Sequence, residues 1–435
     1  MAETALRRNR AFVLFTAGQL ASDAGTGLLM LAVLLHVYAA SHSTRVTTIA
    51  FLAETVPTIL LSPWAGVVAD RGDRRRILMT ADLLRAVLLM PLLVTPRLDM
   101  LIGVLAMQSA VGAVFRPAYR SFVPSLVPAG QLASANGVTS STMAVLMLVC
   151  PPVGAALYAA FGFGVVVVID AVTFLVSVTT LWFVRPAYAV PVQRTDRQSV
   201  RADLLGGARV LAARPVVRLL LTTAICFGVL QAILSPVLVP FFEGVLHATP
   251  SQIGLAVAAQ GVGTLLAGMV VTCLGGRVHP ARLFAMGCSG VAVFALFFTL
   301  APNFPFAVAM LVCVGVPGVL LNVGEQTLLQ TLVPDQMLGR AMGLLGMAES
   351  VATLAGASVP AFATGILGVR GVLLVGASGA FAAAAVALAG YGRIVSTETV
   401  TSSSTSGSTS GPTPGPDGTL MCPPSSTNGG VTSRA

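Results

Sequence analysis

GVVADRGDRRRIL, residues 66–78, passes from apolar chain to dense charge and back within thirteen positions. Residues 46–69 before it and 77–94 after it are each long enough to cross a bilayer, for which about 20 apolar residues suffice. The charged turn therefore joins two spanning helices at a membrane surface, because Arg71, Arg74, Arg75 and Arg76 are costly to draw through hydrocarbon. Gly66 permits close approach of another backbone, and Asp70 suits a helix N-terminus.

The rest of the chain agrees with a membrane setting. Its 435 residues are 55% hydrophobic and 9% charged, with mean hydropathy +0.88, more apolar surface than one aqueous core can bury. The net charge of +9 does not signal nucleic-acid binding, since the arginines cluster between apolar runs and form no basic stripe. All 25 basic residues are Arg. Six cysteines fall singly, five of them within apolar runs, and their spacing gives neither a disulfide framework nor a metal site. Arg7, Arg8 and Arg10 precede an apolar run that extends to Tyr38, too long for a signal peptide, so it reads as a first spanning helix.

Twelve spans are predicted, at 11–38, 46–69, 77–95, 99–118, 136–160, 164–184, 216–242, 252–275, 282–301, 304–333, 343–367 and 371–395. The fold class is thus an all-α membrane protein with twelve transmembrane helices in two pseudo-symmetric six-helix bundles. Only Arg45, Arg97 and Arg370 fall in the odd loops between spans, so the arginine bias predicts that both termini are cytoplasmic in a multi-pass cell-membrane protein. Residues 1–184 form the first bundle and 216–395 the second. Between them, 185–215 is a cytoplasmic linker in which Ser199 caps a surface helix. Residues 396–435, thirty of which are Ser, Thr, Gly or Pro, read as a disordered cytoplasmic tail.

An internal repeat supports the division. Residues 125–138 (SLVPAGQLASANGV) align without gaps on 331–344 (TLVPDQMLGRAMGL) with six identities at an offset of 206. The same offset sets Asp70 on Gly276, Arg71 on Arg277 and Arg76 on Arg282.

Residues 66–78 resemble the signature loop of the major facilitator superfamily, Gly-x-x-x-Asp-Arg-x-Gly-Arg-Arg-x-x-Leu. Gly66, Asp70, Arg71, Arg74, Arg75 and Leu78 match it, and Asp73 replaces a glycine, as in the branch of drug and siderophore exporters that includes macrolide efflux pumps. The resemblance implies that Gly66, Asp70, Arg71, Asp73, Arg74 and Arg75 form a conformational hinge. Cys150-Pro151-Pro152-Val153-Gly154-Ala155 resembles the superfamily's antiporter motif, Gly-Pro-x-x-Gly-Gly. Pro151 and Gly154 match it, whereas Cys150 and Ala155 replace glycines. Pro151 and Pro152 disturb the helix and Gly154 lets it press on a neighbour.

Ionisable residues at membrane depth are costly and need a partner or a role. Asp23, Glu54, Glu325 and Glu349 are the candidates for proton coupling or for holding a cationic substrate, since a carboxyl in a low-dielectric cavity retains a proton more readily than one in water. Asp82 and Arg85, three apart on one helix, read as a structural pair, joined to each other or to Asp70 and Arg74. Arg116 reads as a side chain reaching back to the membrane surface, and Asp170 as a packing position by family analogy. Gln19, Gln108, Gln231, Gln260 and Asn322 are uncharged groups available to a cavity. Many proton-coupled members of the superfamily carry an arginine deep in helix 4, and residues 107–115 have none.

The chain lacks a Gly-x-x-x-x-Gly-Lys phosphate loop, a metal-ligand cluster and a nucleophile triad, which excludes an ATP-driven pump on its own and intramembrane enzyme chemistry. No cofactor or metal is expected. The reading is a monomeric secondary active transporter that exports a small, partly lipophilic compound such as an antibiotic or siderophore by proton antiport. A nutrient importer on the same fold and a transporter-shaped sensor or scaffold are the alternatives.

Overall fold

A computed structural model describes residues 9–95, 97–185, 215–274, 278–333 and 335–406, and these contain helices and turns without a strand. Six helices come first: α1 (Arg10–Ser41), α2 (Thr44–Arg71), α3 (Arg74–Val94), α4 (Leu98–Phe122), α5 (Leu132–Phe161) and α6 (Phe163–Phe183). They are followed by α7 (Pro215–Val239), α8 (Pro250–Leu274), α9 (Pro280–Thr299) and α10 (Phe304–Leu332). The last helical stretch, Asp335–Ser406, is broken at Gly368, where φ is 68°. Its two parts, 335–367 and 369–406, are α11 and α12.

Eleven stretches are long and apolar enough to span a membrane, and one of them, Ala341–Gly390, has 50 residues. Fifty helical residues would extend about 75 Å, more than twice the hydrocarbon thickness of about 30 Å. The break at Gly368 therefore separates two crossings, consistent with the twelve expected spans. Gly162, between α5 and α6, has φ 80° and ψ 176°, close to the 68° and 175° of Gly368. The two glycines are 206 positions apart, so the sequence repeat extends to backbone geometry that an L side chain adopts only with strain.

Polar caps start the helices. Asn9 Oδ1 accepts from Phe12 N at 3.1 Å, and Asn303 Oδ1 accepts from Phe306 N at 3.1 Å. Asn9 also donates from Nδ2 to Leu126 O at 2.7 Å, tying the start of α1 to the Leu-Val-Pro segment that follows α4. Pro250 and Pro280 occupy first helical positions, where no N–H is needed.

Because crossings alternate, Asn9, the 72–73 turn and residues 123–131 lie on one face, here the near face. His42, Arg97, Gly162 and the turns at 246–249 and 300–303 lie on the far face. Within the first half, α1 packs on α5 and α6, α2 on α4, and α3 on α4 and α6; in the second half, α10 packs on both α8 and α9. A near-face core of Phe12, Phe15, Leu78, Phe122, Leu126 and Leu181 is made entirely by the first half. On the far side one core joins the halves, bringing Leu34, Leu35 and Tyr38 of α1 together with Phe241, Phe242 and Ile253. Phe241, Phe242 and Phe298 pack with ring centroids 5.0–5.9 Å apart. α3 turns Leu83, Leu84, Val87, Met90 and Val94 outward, an apolar face that suits lipid.

The antiporter-like segment lies in the junction between halves. A Cβ on Gly154 would stand 2.9 Å from Cα of Leu28 in α1. On the other side of α5, a Cβ on Gly254 of α8 would meet Ala155 Cβ at 2.6 Å and Pro152 Cα at 2.9 Å. α5 is helical through Pro151 and Pro152, so these prolines kink or loosen the helix without ending it. The contact continues two turns toward the near face, where a Cβ on Gly261 of α8 would meet Leu148 Cδ1 at 2.8 Å; beyond it, a Cβ on Gly137 or Gly268 would meet nothing within 4 Å.

Two expectations concern the ends of the second half. The linker helix beginning at Ser199 lies outside the described residues. α12 continues to Ser406, eleven residues into the stretch expected to be disordered from 396. Extending an existing helix requires no new nucleation, so Ser- and Thr-rich sequence follows it for some turns. Residues 407–435 lie outside the described residues.

Gly154→Leu is expected to drive a side chain into the α1 backbone and lower stability by about 1–3 kcal/mol. A fall in thermal unfolding temperature of the detergent-purified protein, with Gly137→Leu nearly unchanged, would show it.

Candidate functional site

The signature loop acts on the ends of two neighbouring helices. Asp73 caps α3, its Oδ1 accepting from the backbone N of Arg75 at 3.0 Å and of Arg76 at 3.4 Å. Arg74 donates to Ser121 O in the last turn of α4 at 3.0 Å. Arg75 donates to Leu181 O at 2.9 Å and to Trp182 O, both in the last turn of α6. Helix C-termini hold carbonyls without intrahelical partners and the negative end of the dipole, so two guanidiniums there join α3 to α4 and α6. Of the two pairings open to Asp82, the one with Arg74 does not form, since Arg74 makes this carbonyl contact, and the one with Arg85 does. Gly66, Asp70 and Arg71 are in the last turns of α2; their side chains, and the repeat of the loop at 275–277, lie outside the described residues.

Four acids and two arginines gather inside the first half. Asp82 is fully buried, and Ser177 Oγ donates to its Oδ2 at 2.6 Å while Gln19 Nε2 donates to Ser177 Oγ at 2.9 Å. Asp82 Oδ1 is 3.9 Å from Arg85 Nη1 and has no hydrogen-bond partner among the described residues. The pair read from the sequence is thus an ion pair without a hydrogen bond. The Arg85 guanidinium lies 4.8 Å from the ring centroid of Phe115 and 5.5 Å from that of Phe174. Asp82, Asp170 and Asp23 all lie within its electrostatic reach. Asp170 is 2% exposed, accepts from Thr173 Oγ1 at 3.5 Å and stands where a Cβ on Gly25 of α1 would come within 3.0 Å of its Cα, so it is a packing position that also belongs to a polar cluster.

A cavity of about 150 Å³ adjoins this cluster and is lined by Glu54, Arg85, Gln108, Arg116 and Asp170, among others. Arg116 is exposed and also lines this cavity, within electrostatic reach of Glu54 and Asp23. Gln108 Nε2 donates to Arg85 O at 2.9 Å. Arg85 is the twelfth residue of the 21-residue α3 and so lies at mid-helix depth.

A larger cavity of about 740 Å³ occupies the second half. Gln231, Gln260, Asn322, Glu325 and Glu349 contribute its polar groups, and α2 of the first half contributes Phe51. Glu325 is 7% exposed, and its Oε1 has no hydrogen-bond partner among the described residues. Glu349 lies within its electrostatic reach. Asp23 and Glu54 do not line this cavity. The four acids chosen from the sequence therefore divide between two places, two in each half.

The sequence reading passed over Glu243. It lies in the π-helical turn Pro240–Val245 at the far face, within electrostatic reach of His42, Tyr38 and Tyr158 of the other half. An acid just after Pro240 was the available signal, obscured by its place at the edge of an apolar run.

Comparison with known proteins gives a consistent result. A family profile described as transmembrane secretion effector matches residues 3–409. The chain is 25% identical over 371 residues to macrolide efflux protein A of Streptococcus pyogenes, covering 82% of this chain and 90% of that protein. It is 27% identical over 355 residues to the enterobactin exporter EntS of Escherichia coli, covering 78% and 82% respectively. Among solved structures, an inward-facing, unoccupied bacterial homologue of the human lysosomal transporter Spinster aligns with a TM-score of 0.70 at 15% identity. The alignment covers 89% of this chain and 98% of that one.

Asp73→Ala is expected to cost about 1 kcal/mol through loss of the α3 cap. Arg75→Ala should cost more, about 1–3 kcal/mol, because it leaves two C-terminal carbonyls without their charged donor. Thermal unfolding of the purified variants measures both, and equal effects would remove the clamp role of Arg75.

Proposed function

The chain belongs to the transmembrane secretion effector family of the major facilitator superfamily, and on that premise we propose that it is a proton-driven exporter of small, partly lipophilic compounds. The observation that carries the substrate class is the larger cavity. At about 740 Å³ it is within the usual range for drug-sized ligands, and its walls are mostly apolar with a few polar groups. Glu325 and Glu349 make it selective for a basic or cationic group, since the described residues place no arginine in its lining. The names of the relatives, a macrolide efflux protein and an enterobactin exporter, support export of a drug-sized compound.

Transport proceeds by alternating access. The far face is closed by the core shared between the halves, and α5 and α8 diverge toward the near face. The cavity thus opens toward the near face in this state. Arg45, Arg97 and Arg370 are the arginines assigned to far-face loops, and the positive-inside bias makes the near face cytoplasmic. Substrate enters from the cytoplasm or inner leaflet, the halves rock about the α5–α8 junction, and the site then faces outward. The protein functions as a monomer at the cell membrane, driven by the proton gradient, with both termini in the cytoplasm.

Cells making the protein should accumulate severalfold less ethidium or radiolabelled erythromycin than control cells, and a protonophore should remove the difference. Raised accumulation would make the protein an importer, and a difference that persists with the protonophore would exclude proton drive. Glu325→Gln and Glu349→Gln should each weaken transport of cationic probes about tenfold or more, as expected for loss of a charged contact of about 1.5–3 kcal/mol. Apparent KM for ethidium in the same cells measures this.

A further inference from the structure

The repeat offset of 206 relates the two cavities residue by residue. Glu54, Thr58 and Arg116 line the smaller one, and Gln260, Thr264 and Asn322 line the larger. These are repeat partners, and so are Ser109 with Gly315 and Gly112 with Gly318. One ancestral cavity has therefore been kept in both halves with opposite chemistry. At the positions where the first half has an acid and an arginine around about 150 Å³, the second half has neutral amides around about 740 Å³.

The smaller cavity is too small for a drug-sized compound. Its lining holds two acids, Glu54 and Asp170, and two arginines, Arg85 and Arg116, and with Asp23 and Asp82 beside it four acids stand against two arginines. An uncompensated negative charge is expensive at membrane depth. The acids do not converge on one point as metal ligands would, and the described residues contain no group of His, Cys, Asp or Glu able to hold a metal ion. Asp23, Asp82 and Asp170 instead surround the Arg85 guanidinium, with the buried Asp82 Oδ1 3.9 Å from it without a hydrogen bond, while Glu54 lines the same cavity within reach of Arg116. Tyr119 of α4 and Cys150 of α5 are the other titratable groups within reach of Asp23.

We propose that the first-half cavity around Arg85 is the proton-carrying site of the transporter, with Asp170 and Glu54 as exchanging carboxyls, and that its repeat partner in the second half is the substrate chamber. Proton and substrate then bind separate copies of one cavity and communicate through movement of the halves. The inference rests on the proton-driven export reading for its transport consequence, whereas the site itself is testable without a substrate.

The experiment uses the full chain in lipid nanodiscs and in proteoliposomes. Infrared difference spectra between about pH 5 and pH 8 follow protonated carboxyl C=O stretches directly. Part of the wild-type change should be missing in Asp170→Asn and a further part in Glu54→Gln, and spectra identical to wild type in both variants would overturn the site. In proteoliposomes, Asp170→Asn and Arg85→Lys should reduce pH-gradient-driven ethidium transport about tenfold or more, while ethidium exchange without a gradient stays within about twofold. Glu54→Gln, a change at a half-buried position, provides the same test if Asp170→Asn does not fold. Retained gradient-driven transport, equal loss of exchange, or drive by a sodium gradient in place of protons would each overturn the assignment. If wild type moves no probe at all, the export reading fails, and the infrared result alone then decides the proton site.

Discussion

The halves meet along α5, which small residues hold close to α1 of its own half on one side and to α8 of the other half on the other. Gly154 sets α5 against the backbone of α1 at Leu28, and Gly254 sets α8 against Ala155 and Pro152 on the other side of the same helix. In lipid, hydrophobicity gives apolar helices no reason to associate with one another rather than with acyl chains. Close packing of small residues supplies the attraction instead. Every other relation between the halves follows from this sandwich, including the shared far-face core and the divergence toward the near face.

Within the first half, rigidity comes from charge placed at helix ends. Arg74 and Arg75 reach the last carbonyls of α4 and α6, and Asp73 satisfies the first amides of α3. The glycine that Asp73 replaces in the superfamily pattern would give α3 no side-chain acceptor, so the departure gains a cap. Asn9 performs two tasks of the same kind, capping α1 and holding the segment after α4. The near-face ends of α1, α3, α4 and α6 are thereby bound into one body, as a rocking mechanism requires.

The interior of the two bodies differs because buried charge and binding volume compete. A cluster of ionised groups at depth needs mutual hydrogen bonds and close counter-charges, which contract the space around it. Neutral amides need less compensation and leave the cavity wide. Gln260 and Asn322 in place of an acid and an arginine are associated with the larger chamber, where the remaining acids, Glu325 and Glu349, stand apart from any repeat partner of their own kind. Glu325 retains an unpartnered oxygen there, a group ready to meet a ligand.

The sequence by itself determined the membrane class, the spans, the repeat and the superfamily, because these depend on local hydropathy, on arginines at membrane surfaces and on a loop motif read in order. It also drew attention to Asp23, Glu54, Glu325 and Glu349, since the cost of an ion in hydrocarbon depends on depth alone. Only the tertiary structure decided their company. Asp82 and Arg85 looked like a local pair because they are three residues apart, yet Ser177, ninety-five positions away, holds Asp82, and Asp170 and two aromatic rings share Arg85. That Arg116 of α4 and Glu54 of α2 line one cavity could likewise be seen only once the helices were packed. Hydropathy acts along the chain, whereas the grouping of charges depends on which helix faces meet, and that is fixed by packing between residues distant in sequence.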